Sequence, residues 1–157
     1  MACLLIDIDD TLYKHKVNPQ FLDYNNITED KQLKYLLNKI KLPKYIYTNA
    51  MFIHANQILN RYNIVNNFDK IYSRDTIPSM KPIVNSAIAV EKDIKYNNNN
   101  ISSIIFFDDL KENLMTGKET GWITVWVSSD YRNVNNYEYI DYAFPNFKIA
   151  LKTLFNI

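Results

Sequence analysis

Residues 4–13 read LLIDIDDTLY, a short apolar run followed directly by a cluster of acids. The apolar part, residues 4–6, predicts a buried β-strand, because short apolar runs closed by polar residues usually form one. The three acids that follow should repel one another and lose hydration near a core. A divalent cation is the simplest offset, and oxygen-only ligands suit Mg²⁺. Alternation places Asp7 and Asp9 on one side of the strand end and Asp10 on the other, so the first two converge on one point. This stretch therefore predicts a functional site at the end of the first strand.

The length and composition describe an ordinary globular protein with a single domain over residues 1–157. The formal net charge of +1 gives no strong basic field, so nucleic acid is not an expected partner. Cys3 is the only cysteine, which excludes an intramolecular disulfide and fits a reducing compartment. We see no signal-peptide pattern and no apolar run near the roughly 18 residues of a membrane span. We therefore expect a cytoplasmic protein without a membrane partner.

Strand and helix patterns alternate along the rest of the chain. Thr28 is a plausible N-cap for a helix with Glu29 and Asp30 in its first turn, and Pro82 is a good first-turn residue for another. Residues 14–26 read as a loop or short hairpin. Further strands are predicted over residues 44–47, 70–72, 103–107, 122–127 and 142–144, and further helices over residues 51–62, 111–120 and 147–155. This alternation predicts an α/β protein with a parallel sheet covered on both faces.

Polar residues cluster where three of the predicted strands end. Asp7 and Asp9 follow the first strand, Thr48-Asn49 follows the second, and Asp108-Asp109 follows the long strand near the middle of the chain. In open α/β sheets, ligands bind in the crevice beyond the carboxyl ends of the strands. We therefore expect these residues to build one shared pocket.

Four motifs, in chain order, resemble those of the haloacid dehalogenase superfamily of phosphotransferases. They are Asp7-Ile-Asp9-Asp-Thr11-Leu, Thr48-Asn49, Lys81-Pro82 and Asp108-Asp109. The resemblance spans most of the chain. It implies a Rossmann-like three-layer fold with a central, mainly parallel sheet and helices on both faces.

Finer details are similar to the pyrimidine 5′-nucleotidase-like branch of that superfamily. They include DIDDTLY, YTNA followed by His54-Ala55, FFDD with Asn113, and the G-W-x-T-V-W-V stretch. The resemblance implies a phosphomonoester hydrolase for a small phosphorylated metabolite, such as a nucleoside monophosphate. An acid at position 9 favours phosphate chemistry over carbon–halogen cleavage.

The resemblance also implies catalytic roles that fit phosphoryl transfer. Asp7 would attack phosphorus and form an aspartyl-phosphate intermediate. Asp9 would protonate the leaving oxygen and later take a proton from water, which requires a raised pKa. Thr48 and Asn49 would bind phosphoryl oxygens, and Lys81 would neutralise the developing charge.

The expected cofactor is Mg²⁺, held by oxygen ligands. The resemblance places it between Asp7, the main-chain carbonyl of Asp9 and the two acids of the fourth motif. Asp109 is expected to bind it directly, and Asp108 directly or through water.

The spacing of the motifs leaves little room for a cap domain. Only 38 residues separate Asp9 from Thr48 and 32 separate Thr48 from Lys81, so the cap is expected to be absent or minimal. Residues 13–43 would form a reduced cap or flap. An open site could instead accept a phosphoprotein or a nucleic-acid end, or be closed by a second subunit of a homo-oligomer. A catalytically silent binding domain is the remaining alternative.

Several polar residues near the motifs allow two interpretations. His54 suits either a helix-face or cap role or a substrate contact. Lys14 and His15 lie beside the expected entrance, where a solvated loop explains them equally well. Asn113 is expected to orient the Asp108-Asp109 loop without taking part in the chemistry.

Overall fold

A six-stranded, wholly parallel sheet forms the centre of the molecule in a computed structural model that describes residues 1–16, 18–134 and 137–157. The strand order is β3-β2-β1-β4-β5-β6. The prediction of a parallel α/β sheet is confirmed. The strands are β1 Ala2–Ile6, β2 Lys44–Tyr47, β3 Lys70–Tyr72, β4 Ser103–Asp108, β5 Ile123–Val127 and β6 Tyr142–Phe144.

Five helices cover the two faces of this sheet and complete three layers. Strand β1 shows why both faces are apolar: Leu4 and Ile6 join the core on one side, and Cys3 and Leu5 join the core on the other. The first core contains residues of α1, α2 and α5, and the second contains residues of α3 and α4. The helices are α1 Lys31–Lys39, α2 Phe52–Arg61, α3 Val84–Asn97, α4 Lys111–Glu119 and α5 Phe147–Phe155.

Two helices begin later than the sequence predicts. Helix α1 is capped by Asp30 and not by Thr28, since the Asp30 carboxylate accepts a hydrogen bond from the Leu33 N–H at 2.9 Å. Helix α3 begins at Val84 and not at Pro82, because the backbone at Ile83 is still extended. Both predicted starts were therefore wrong by two residues.

The segment between β1 and α1 contains two single-turn 3₁₀ helices, Pro19–Phe21 and Tyr24–Asn26. No hairpin lies there among the described residues, which leave out Val17. Of the predicted flap over residues 13–43, α1 buries Leu33, Leu36 and Leu37 in the core. The role of the flap stays a prediction.

The sheet order brings the site residues together. Strand β1 lies between β2 and β4, so the carboxyl ends of these three strands meet at one edge. The crossover direction reverses between β1 and β4, and such switch points open a crevice for ligands. None of the helices in the part of the chain that the structure describes is long and apolar enough to cross a bilayer.

Candidate active site

One cleft of about 250 Å³ at the carboxyl edge of the sheet contains most of the residues that the motifs predict. Its lining includes Asp7, Asp9, Thr48, Asn49, Lys81 and Asp109. Asp108 is completely buried, and its carboxylate accepts a hydrogen bond from Lys81 of this lining. The expected convergence of the three strand ends is therefore what the structure shows.

Lys81 joins two of these acids from the loop that precedes α3. Its ammonium group donates to Asp7 Oδ1 at 2.9 Å, to Asp108 Oδ2 at 2.7 Å and to the carbonyl of Tyr47 at 2.8 Å. Only 3% of the Lys81 side chain is exposed, so this cation is set between two acids with almost no water.

Burial and charge act in opposite directions on this group of residues. Burial raises the pKa of Asp7 to about 8, with help from Asp108 and Asp109, although Lys81 opposes the rise. Burial alone would lower the pKa of Lys81, but Asp108 and Asp7 raise it above its ordinary value. The carboxyl groups of Asp7, Asp108 and Asp109 lie close to a single ammonium group. The site therefore holds more negative charge than Lys81 offsets.

Asp108 and Asp109 differ in how free their oxygens are. Asp108 accepts hydrogen bonds from Lys81, from the Leu110 N–H at 2.8 Å and from the Asn113 amide at 3.0 and 3.2 Å. Asn113 therefore orients the carboxylate of Asp108. Asp109 accepts a long 3.4 Å contact from Thr11, and burial followed by the charge of Asp108 raises the pKa of Asp109 to about 6.

The acids fit a divalent cation. One oxygen from each of Asp7, Asp108 and Asp109 lies within 4.8 Å of the others. All three donors are carboxylate oxygens, the ligand type that Mg²⁺ prefers, and a cation would also offset the excess negative charge. The donor set is therefore suitable for Mg²⁺.

The turn after the first acid positions Thr11 against this cluster. The Thr11 hydroxyl donates to Asp7 Oδ2 at 3.0 Å, and the Thr11 and Tyr13 N–H groups both bond the carbonyl of Ile8. Asp10 supports this turn with a left-handed φ of 61° that few non-glycine residues adopt. Asp10 lines the same cleft as Asp7 and Asp9, so the predicted separation of Asp10 from these two acids is wrong, and its carboxylate accepts a hydrogen bond from the His15 N–H at 3.3 Å.

Thr48 and Asn49 already have internal partners. The Thr48 hydroxyl accepts from the Ala50 N–H at 3.1 Å, and the Asn49 side chain makes two 2.9 Å hydrogen bonds with the main chain of Lys81. Asn49 thus fixes the loop that carries Lys81. The predicted contact of both residues with phosphoryl oxygens stays a prediction.

Asp9 has surroundings that the sequence did not suggest. Its Oδ1 lies 2.7 Å from His15 Nε2 and 2.8 Å from His54 Nε2, and these are the only histidines in the chain. Burial would raise the pKa of Asp9, but the hydrogen bonds and charge of His54 and then His15 bring it below its ordinary value. The expectation of a raised pKa for Asp9 is therefore wrong.

Tyr24 extends this cluster outward. Its hydroxyl lies 2.6 Å from His54 Nδ1, and the two rings meet edge to face. The sequence left the roles of His15 and His54 undecided and did not distinguish Tyr24 from the other tyrosines, which were expected to be core and surface aromatics. The one indication it had was the place of His54, six residues after Thr48 in the first turns of α2.

The chain matches no known family profile, and no curated protein is detectably similar to it in sequence. Its structure, however, is similar to solved hydrolases. A haloacid dehalogenase-like hydrolase from Streptococcus pneumoniae has a TM-score of 0.66 at 15% identity, with 98% of this chain and 97% of that chain covered. A candidate β-phosphoglucomutase from Thermotoga maritima gives 0.71 at 13% identity and full coverage of both chains.

The L-2-haloacid dehalogenase from Xanthobacter autotrophicus, solved with chloropropionic acid covalently bound, has a TM-score of 0.62 at 15% identity. The match covers 85% of this chain but only 64% of that one, so this chain spans under two thirds of the dehalogenase. Identities this low establish the fold alone. The chain has the Rossmann-like fold of the haloacid dehalogenase superfamily hydrolases and resembles their core without a cap domain.

Proposed function

We propose that this protein is a Mg²⁺-dependent phosphomonoester hydrolase that acts through an aspartyl-phosphate on a small phosphorylated metabolite. The observation that carries the proposal is the arrangement of Asp7. Its carboxylate lies at the cleft, held by Lys81 at 2.9 Å and Thr11 at 3.0 Å, beside the two acids that complete a cation site. A nucleophile fixed next to a cation is what attack on an anionic ester needs.

The chain's own residues would divide the reaction between them. An Asp7 oxygen forms a bond to phosphorus while the bond from phosphorus to the leaving oxygen breaks, and Asp9 gives the leaving oxygen its proton. Water then attacks the phosphorus of the aspartyl-phosphate and gives a proton to Asp9, while the bond from phosphorus to the Asp7 oxygen breaks and releases phosphate. Throughout, Lys81 stabilises the negative charge that develops nearby.

Asp7, Asp108 and Asp109, with the carbonyl of Asp9, would hold Mg²⁺, which supplies charge neutralisation for the phosphoryl oxygens. Asp9 must carry a proton to act as an acid, whereas the two histidines lower its pKa. A phosphate dianion in the cleft opposes that effect, because a like charge raises the pKa of a carboxyl group.

Phosphate esters are better candidates than haloacids for two reasons. Asp9 lines the same cleft as Asp7, at the position where a leaving oxygen needs an acid and a halide does not. The three-acid cluster also suits a metal that assists phosphoryl transfer. Within phosphate chemistry, the resemblance of DIDDTLY and of YTNA with His54-Ala55 to the pyrimidine 5′-nucleotidase-like branch implies a nucleoside monophosphate.

Phosphate release from a panel of nucleotides and sugar phosphates tests the proposal. We expect turnover with Mg²⁺, loss of turnover with a chelator, and no turnover by D7N under either condition. Release at the same rate by wild type and D7N would overturn the proposal.

A phosphatase for a macromolecular ester is the second candidate. The openness of the site favours it. In the part of the chain that the structure describes, the five α-helices contribute to the two cores beside the sheet, and none of them forms a separate cap. This candidate predicts activity on p-nitrophenyl phosphate and phosphopeptides or polynucleotide ends, but on no metabolite. Mg²⁺-dependent turnover of any of these would eliminate a silent binding domain.

A further inference from the structure

We propose that His54, oriented by Tyr24, is a positioning residue that aims the carboxyl group of Asp9 at the leaving oxygen. The inference rests on the proposed phosphatase function and assigns a role to two residues outside the four motifs. It concerns which oxygen of Asp9 meets the substrate.

The two oxygens of Asp9 are not equivalent. Oδ1 receives both imidazole contacts, at 2.7 Å from His15 and 2.8 Å from His54. Oδ2 has no hydrogen-bond partner within residues 1–16, 18–134 and 137–157. Two donors on one oxygen fix the rotation of the carboxyl group, so Oδ2 is the oxygen left for proton transfer.

The Tyr24 hydroxyl fixes the orientation of the His54 ring. An ionised carboxylate can only accept, so His54 donates to Asp9 from Nε2. The Tyr24 hydroxyl lies 2.6 Å from Nδ1 and pairs with that atom, as the donor to a neutral ring or as the acceptor from a charged one. Both ring nitrogens of His54 therefore have a partner. His15 lacks such support, since its buried Nδ1 has no partner among the residues that the structure describes.

The location of these residues is that expected for a leaving group. Asp9 contributes to the cleft that holds Asp7 and also to a second cavity of about 470 Å³ that His15, Leu22, Tyr24 and His54 line. A phosphoryl group beside Asp7 would place its leaving oxygen toward Asp9 and its leaving group toward this second cavity. Leu22 and Tyr24 belong to the predicted flap and line this cavity, so the flap would contact the leaving group beside the acid that protonates it.

Leaving-group dependence gives the test, because an alkoxide needs a proton far more than p-nitrophenolate does. The experiment compares kcat on p-nitrophenyl phosphate, an aryl ester, with kcat on an alkyl ester. The alkyl ester is glycerol phosphate or the best metabolite of the panel. In H54A we expect a loss of about 10–100-fold on the alkyl ester, part of the usual contribution of general acid catalysis. On the aryl ester we expect a loss below about threefold, since departure of a good leaving group depends little on the acid.

Conservative variants separate positioning from simple damage. H54Q keeps an N–H donor near the place of Nε2 and should recover most of the alkyl-ester activity. Y24F removes a single hydroxyl and should show a smaller loss with the same preference for the aryl ester. Y96F, at a tyrosine that is 89% exposed, is the matched control and should change neither rate. Thermal unfolding of each variant shows that it is folded, and Y24F carries the test if H54A is not.

Equal losses on both esters, or an H54Q enzyme no better than H54A, would overturn the positioning role. That failure is distinct from failure of the proposed function. If only the positioning role fails, wild type still turns over both esters and D7N does not. If the proposed function fails, wild type and D7N release phosphate at the same rate.

Discussion

Replacing Lys81 with Met removes the only ammonium group from a buried cluster of acids and should strongly destabilise the metal-free protein. The side chains of Asp7 and Asp108 are 9% and 0% exposed, so neither can be rehydrated without unfolding part of the site. Two charge-assisted hydrogen bonds, at 2.9 and 2.7 Å, are lost, each worth about 1.5–3 kcal/mol. Removing one partner of a buried ion pair typically costs about 3–5 kcal/mol, and we expect a value in that range.

Urea denaturation without divalent metal at about pH 9, where Asp7 with its pKa of about 8 is ionised, measures this cost. K95M is the matched control, because Lys95 pairs with Glu91 at the surface and its loss should change the free energy of unfolding by less than about 1 kcal/mol. Adding Mg²⁺ should stabilise K81M more than wild type, since the uncompensated acids attract the cation. A cost below about 1 kcal/mol for K81M would refute the charge balance described here.

Three further predictions concern packing, a helix cap and metal binding. G117A should destabilise the protein by about 1–3 kcal/mol despite the better helix propensity of Ala, because its Cβ would lie 2.9 Å from Cδ1 of the buried Phe106; a more stable variant in thermal or urea unfolding would contradict this. D30A should cost about 1 kcal/mol at neutral pH through loss of the α1 cap. Burial would raise the pKa of Asp30, but Lys148 and the Leu33 N–H bring it below its ordinary value of 3.8. The stability that Asp30 contributes is therefore fully present above pH 3.8 and is lost as the pH falls through the lower pKa of the folded state. A destabilisation by D30A that grows as the pH falls would contradict this reasoning. Mg²⁺ should bind more tightly as the pH rises from about 6 to about 8, because Asp109 and then Asp7 ionise in this range. Calorimetric titration of D109N should show affinity at least about tenfold weaker, and unchanged affinity would remove Asp109 from the metal site.

Residues at strand ends were predictable because parallel pairing leaves few choices. Once β1, β2 and β4 are parallel and adjacent, Asp7, Thr48 and Asp108 must share one edge. Lys81 could be placed only through the resemblance, since a lysine in a loop usually faces water. Its burial depends on two hydrogen bonds between its main chain and the Asn49 side chain, which no pattern of hydrophobicity encodes.

The missed features depend on contacts between segments that are distant in the chain. Thr28 and Asp30 are both acceptable caps, and Asp30 also binds Lys148 of α5, a contact invisible in sequence. His15 and His54 meet on Asp9 because the turn after β1 and the first turns of α2 both face it. The orientation of the His54 imidazole follows from the rotation of α2 and from Tyr24, neither of which the local sequence specifies.

The central claim is that Asp7 is the nucleophile of a phosphomonoesterase. Wild-type protein mixed with Mg²⁺ and its best substrate, quenched in acid during turnover and digested, should yield a peptide containing Asp7 that carries one phosphoryl group. The group should be lost on treatment with hydroxylamine, and D7N should show neither label nor turnover. Turnover without any phosphoryl group on Asp7 when the quench samples a single cycle, or a label on another residue that persists in D7N, would contradict the claim.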